Sequence, residues 1–175
     1  MSDTLAEVFA GNGALANAIP GYLPRAAQIE MAQKIAEAID TQQHLIAEAG
    51  TGTGKTFAYL IPAILSRKKV IVSTGTKNLQ DQLFNKDIPL IRKALTRTPF
   101  KASLLKGRAN YLCTYRLEQA LNTAFGYSQE DAAALAKIKA WARRTKVGDV
   151  SEVADVTEGD PVWFHATSTT DNCLG

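Results

Sequence analysis

The stretch IAEAGTGTGKT, residues 46–56, limits what this chain can fold into more than any other. A short apolar run leads into glycines at positions 50, 52 and 54, then Lys55 and Thr56, and a second apolar run begins at Phe57. Ala49, Gly50, Thr51, Gly52, Thr53, Gly54, Lys55 and Thr56 fit the pattern G-x-x-x-x-G-K-[ST], with alanine in place of the first glycine. A concave array of backbone N–H groups around a phosphate needs residues that adopt positive φ and leave the approach open, which glycine does. A helix beginning near Lys55 aims its positive end at the same anion. The pattern therefore predicts a phosphate cradle with Lys55 and Thr56 as candidate catalytic residues. Lys55 can reach the β- and γ-phosphates of a bound nucleotide, and the Thr56 hydroxyl can be offered to Mg²⁺.

Around this stretch, short β-branched or apolar runs alternate with helical patterns. Residues 44–49, 69–74 and 101–106 read as buried strands. Helices are predicted over 4–9, 24–39, 55–67, 76–84 and 132–144, with Pro62 loosening the third and Ser128 with Asp131 capping the last. A further short helix is predicted after Asp87, with Pro89 in its first turn. Alternating strands and helices predict an α/β fold with a parallel sheet. From residue 111 strand signals thin out, and 147–171 reads as polar and loop-like.

Of the 175 residues, 46% are hydrophobic and 21% charged, with a net charge of +3, which excludes a disordered or collagen-like chain and argues weakly at most for a nucleic-acid partner. No apolar run is long enough to cross a bilayer. Cys113 and Cys173 are the two cysteines, and their separation does not suit a compact zinc site. Without a secretory leader pattern after Met1, a cytosolic, soluble protein is expected.

Several motifs in order resemble one family. GYLPRAAQIEM, residues 21–31, resembles the adenine-reading segment of superfamily-2 helicases, with Gln28 at the adenine position and Arg25 nearby. AEAGTGTGKT resembles the family's phosphate motif, in which alanine is usual at the first position. VSTGTKNLQDQL, residues 72–83, resembles the segment that lies along the single-stranded DNA backbone. LKGRANYLC, residues 105–113, is similar to the iron–sulfur branch, the XPD-like helicases, and within it to the bacterial DinG/YoaA type.

The resemblance implies an N-terminal piece of an ATP-dependent 5′-to-3′ DNA helicase, acting in DNA repair in the bacterial cytosol. Residues 1–110 would be part of a RecA-like P-loop domain, and 111–175 the start of a mainly helical iron–sulfur insertion. ATP would be held by Arg25, Gln28 and residues 49–56, and DNA by Thr74, Thr76, Lys77 and Arg108. Cys113 and Cys173 would be two of the four ligands of a [4Fe–4S] cluster. Single-stranded DNA and replication or repair proteins are the implied partners, and a monomer is expected. No apolar run ending in an acidic residue supplies the Mg²⁺-holding carboxylate that hydrolysis needs, so this chain alone is expected to bind nucleotide weakly without turnover. A non-catalytic nucleotide- or single-stranded-DNA-binding module is the alternative; a small kinase lacks its arginine-rich lid. Trp141 and Trp163 read as packing residues rather than base-stacking ones, and His44 and His165 carry no assignment.

Overall fold

The computed structural model describes residues 3–123 and 126–173. The chain forms two compact units that divide between Leu104 and Leu105, ahead of the 110/111 boundary expected from sequence.

The first unit holds α1 (Leu5–Phe9), α2 (Ala14–Ala18), α3 (Ala26–Thr41), α4 (Lys55–Leu65), α5 (Lys77–Gln82), a π-helical turn (Leu83–Asp87) and α6 (Ile88–Ala94). Helix α1 is short and depends on its cap. The Thr4 N–H donates to Glu7 Oε2 at 3.0 Å and the Glu7 N–H returns a bond to Thr4 Oγ1 at 3.3 Å. Val8, Phe9, Leu15, Ala32, Ile61, Ile88, Ile91 and Leu95 form one core, so α1 to α4 and α6 bury their apolar faces together. Pro62 sits in the last turn of α4, which ends three residues later at Leu65. Arg97 ties the end of this unit to its start, pairing with Asp3 at 2.9 Å and Glu7 at 3.1 Å, while the Asp3 N–H donates to Thr98 Oγ1 at 3.2 Å.

The second unit holds a 3₁₀ turn (Arg108–Asn110), α7 (Thr114–Asn122), α8 (Gln129–Ala142), a 3₁₀ turn (Val150–Glu152) and α9 (Pro161–Phe164). Ser128 caps α8 through the Asp131 N–H at 3.0 Å. The stretch read as loop-like supplies Val150, Val153, Val156, Val162, Trp163 and Ala166 to the core with Leu117 and Ile138. Trp163 is fully buried and its indole N–H donates to the Ala109 carbonyl at 2.7 Å. Trp141 is buried beside it and donates to Glu152 at 3.2 Å. Both tryptophans therefore serve packing.

The parallel sheet expected from sequence does not form. Among the described residues there is no strand, only isolated antiparallel bridges between Tyr111 and Asp149 and between Leu112 and Thr167. Residues 44–49, 69–74 and 101–106 lack regular structure, and within them Ile46 is 100% exposed, Ile71 91% and Leu105 81%. β-Propensity reports how well a side chain fits a pleated, half-buried surface with neighbours on it. These three runs do not pair into a ladder here, so that preference has nothing to act on, and of them the helical core takes Ala102 at its margin.

Residues 106–113 are instead fastened side-on. Lys106 and Asp149 form an ion pair at 3.0 Å with side chains only 8% and 10% exposed. Leu112 N–H donates to Gly148 O at 2.8 Å, Cys113 N–H to Ala166 O at 2.8 Å, and Thr167 Oγ1 to the Tyr111 carbonyl at 2.8 Å. Burial pushes the Asp149 carboxyl up, but the Ser151 N–H and hydroxyl and the Lys106 ammonium outweigh it and hold it below the usual carboxylate value. A depressed carboxylate stabilises the fold above its unfolded pKa and loses that contribution as pH falls through the folded one. The second unit is therefore expected to lose stability below about pH 4. Asp149→Asn should cost about 1–3 kcal/mol at neutral pH, since it removes the negative charge that faces the Lys106 ammonium in this pair. Thermal unfolding from pH 7 to 3 checks both: the substitution should lower the midpoint at pH 7 and flatten the acid limb.

Candidate nucleotide site

The glycine loop spans the end of the irregular run at 44–49 and the first turn of α4. Gly52 and Gly54 take φ of 76° and 80°, a region that strains any residue with a side chain. A Cβ on Gly50 or Gly52 would meet nothing within 4 Å, so the loop's inner face is open at these positions. Gly54 is the N-cap of α4, and its carbonyl accepts the first helical bond from the Ala58 N–H at 3.2 Å. The N–H groups of Lys55, Thr56 and Phe57 therefore stand at the start of the helix with no intrahelical acceptor.

Lys55 folds back across the loop, and its ammonium donates to the carbonyls of Ala49 at 2.6 Å and Gly50 at 2.7 Å. Thr53 Oγ1 also donates to the Gly50 carbonyl, at 2.9 Å. The cation is thus held where the chain reverses, at the mouth of the backbone donors. Thr56 is half-buried one position further on. Burial pushes the Tyr59 phenol up; a hydrogen bond with the Thr56 side chain opposes that, and the Asp87 carboxylate adds to it.

Helix α3 grips the same loop from one side. Gln28 is 4% exposed and its Nε2 donates to the Gly54 carbonyl at 2.9 Å. Its Oε1 lies 3.3 Å from the Tyr22 hydroxyl, which is also 3.4 Å from the Phe9 carbonyl. Arg25, the N-cap of α3, donates from its guanidinium to the Gly52 carbonyl. Arg25, Gln28 and residues 49–56 are therefore one assembly. The Gln28 amide works within it as a brace between α3 and the loop.

The other predicted residues lie elsewhere. Thr76 caps α5, accepting from the Leu79 N–H at 3.2 Å, and Thr74 Oγ1 donates to the Thr76 carbonyl at 3.3 Å. Lys77 begins α5 and is exposed. Arg108 is exposed on the 3₁₀ turn of the second unit. Cys113 is the N-cap of α7, and both it and Cys173 are half-buried cysteines outside any disulfide. Arg116 of α7 donates to the Asn172 carbonyl at 2.8 Å, next to Cys173. Leu174 and Gly175, the end of the DNCLG stretch, lie outside the described residues. No group of three potential metal ligands occurs among the described residues.

Two contributors escaped the sequence reading. Tyr22 lies inside the stretch quoted for the helicase resemblance and braces Gln28, and Tyr59 follows Thr56 by one helical turn on α4. The i, i+3 spacing from Thr56 to Tyr59 was the available signal for the second.

Comparison with known proteins gives these features a context. Residues 28–111 match the DEAD/DEAH box helicase family model. The chain is 50% identical over 171 residues, 98% of its length, to a Haemophilus influenzae protein named ATP-dependent DNA helicase YoaA, covering 27% of that protein. It is 48% identical over 167 residues, 95% of its length, to the Escherichia coli protein of the same name, covering 26% of it. A Bacillus subtilis protein named 3'-5' exonuclease DinG is 38% identical over 159 residues, 88% of this chain and 17% of its own length. The chain thus spans about a quarter or less of the relatives it matches.

A side chain at position 54 faces both a positive φ and Gln28 Nε2, 2.1 Å from where its Cβ would stand. Gly54→Ala is expected to displace the Gln28 amide and abolish nucleotide binding. Gln28→Ala removes the brace without the clash of a new Cβ and should weaken nucleotide binding about tenfold, the loss of roughly 1.4 kcal/mol. Titration of both variants with a fluorescent adenine nucleotide checks the order.

Proposed function

We infer that this chain, whose residues 28–111 match the DEAD/DEAH box helicase family model, supplies the nucleotide-binding part of an ATP-dependent DNA helicase. The observation that carries this reading is the Lys55 ammonium lodged among the loop carbonyls at the N-terminus of α4. An ammonium beside the N–H groups that begin a helix suits a polyphosphate.

The residues present fit ATP with Mg²⁺. Lys55 would exchange its carbonyl contacts for β- and γ-phosphate oxygens, the loop N–H groups would cradle the phosphates, and Thr56 would offer its hydroxyl to Mg²⁺. Gln28 and Arg25 would fix the loop and the adenine side. When bound, ATP supplies the free energy of phosphate hydrolysis. In the whole protein that step would drive 5′-to-3′ translocation along single-stranded DNA in DNA repair in the cytosol, with Thr74, Thr76, Lys77 and Arg108 on the DNA backbone. Replication or repair proteins would be its partners.

An iron–sulfur cluster is a different case. A [4Fe–4S] cluster takes four thiolates, and this chain has Cys113 and Cys173 alone. The residues present do not complete such a site, and no step is assigned to it. Among the described residues no helix is long and apolar enough to cross a membrane.

One observation favours a second reading, a non-catalytic nucleotide- or DNA-binding module: among the described residues no carboxylate bonds to Lys55 or Thr56. Phosphate release and nucleotide titration on the purified chain and Lys55→Ala test the two together. Weak, Mg²⁺-dependent ATP binding is expected, reduced at least about tenfold by the substitution, with no turnover by this chain alone. Hydrolysis lost in Lys55→Ala would refute the absence of turnover, and equal affinity for GTP would refute adenine reading by Gln28.

A further inference from the structure

Residues 139–146, KAWARRTK, hold Lys139, Arg143, Arg144 and Lys146 and no acid. All four side chains are exposed at the C-terminal end of α8 and the turn that follows it. None forms an ion pair among the described residues, whereas Lys137, one turn earlier, meets Asp155 at 3.5 Å. The two acids that follow first are already bonded within the unit. Asp149 holds Lys106 and the Ser151 N–H. Glu152 accepts from the Trp141 indole at 3.2 Å and the Thr145 hydroxyl at 2.5 Å.

The turn that carries these cations is built rather than loose. The N–H groups of Arg144 and Thr145 both donate to the Trp141 carbonyl, at 2.8 and 3.0 Å. Thr145 Oγ1 accepts from the N–H groups of Val147 and Gly148, at 3.2 and 2.7 Å. Gly148 takes φ of 76°, and its carbonyl receives the Leu112 N–H. The basic turn is thus anchored to the 106–113 strip that presents Arg108. A cation near a helix C-terminus is ordinarily explained by the helix dipole, an effect confined to the last turn. That accounts for Lys139 and Arg143. It does not account for Arg144 and Lys146, which lie beyond the helix.

We propose that the basic turn at Lys139, Arg143, Arg144 and Lys146 is a phosphate-backbone contact surface for single-stranded DNA. It would act in addition to the residues already assigned to DNA. Four exposed cations without an ion pair among the described residues, at the end of α8 and in the hydrogen-bonded turn after it, with Asp149 and Glu152 already bonded to other groups, suit a polyanion whose charges are closely and regularly spaced. The choice of DNA as that polyanion rests on the helicase reading.

The test is fluorescence anisotropy of a labelled 20-nucleotide oligo(dT) with the full chain across a salt series. The triple variant Arg143→Ala/Arg144→Ala/Lys146→Ala is compared with a charge-matched control, Lys34→Ala/Lys69→Ala/Lys101→Ala. Loss of three phosphate contacts should weaken binding about tenfold near 0.1 M salt and lower the log–log salt slope by about 2. Thermal melts of both variants should match the parent. The proposal is overturned if the triple variant keeps the parent's affinity and slope, or if the control weakens binding equally. It is also overturned if polyglutamate competes as well as unlabelled oligo(dT), which would point to an acidic protein. Absence of DNA binding by the parent chain, with ATP binding still lost in Lys55→Ala, overturns this proposal and leaves the nucleotide site standing. ATP binding indifferent to Lys55→Ala, with the DNA effects as expected, removes the nucleotide site and leaves the basic turn.

Discussion

The first unit is organised around one buried amide. Gln28 projects from α3, donates to the carbonyl that also begins α4, and receives support from Tyr22. A buried amide that lost either contact would carry a desolvation cost of the order of 1–3 kcal/mol. The loop between the two helices is therefore set by this contact with α3 as well as by its own glycines. Glycine at position 54 is required twice over, by its φ and by the amide that fills the space where a side chain would go. The open face left at Gly50 and Gly52 is what remains for an anion.

The glycine loop and the helices at α3, α4 and α8 were legible because each carries a local signal. The loop has its spacing, α3 its apolar face through Ile29 and Ala32, and α8 its Ser128 cap. Gln28 could be placed beside the loop by resemblance, but its burial and its bond to Gly54 depend on Tyr22 and Phe9, which no pattern ties to it. The sheet was misread because a β-branched run such as 69–74 states a preference that only a neighbouring strand can satisfy. The π-helical turn at Leu83–Asp87 was hidden inside what reads as continuous helix. Val150, Val153 and Val156 sit among acids in an irregular stretch, so their shared burial follows from α7 and α8 rather than from any period of their own.

In the second unit the order is reversed, with the 106–113 strip fixed by chain crossing rather than by helices. The 106–113 strip is held from one side by Gly148 and Asp149 and from the other by Trp163, Ala166 and Thr167. Arg108 and Cys113 sit on the same strip, and both inherit their positions from those bonds. Polar contacts of this kind are costly when half made. The strip therefore holds as a whole or not at all.

The Arg97 clasp has a consequence for how the chain is made. It joins residues 94 positions apart in sequence. Contacts at such separation must first overcome the entropy of closing the intervening chain, whereas α3 and α4 meet across a short connection. The residues of the glycine loop and its Gln28 brace all precede Arg97 in the chain, so α1 cannot gain its Arg97 tie until the whole of the unit's helical sequence has been made.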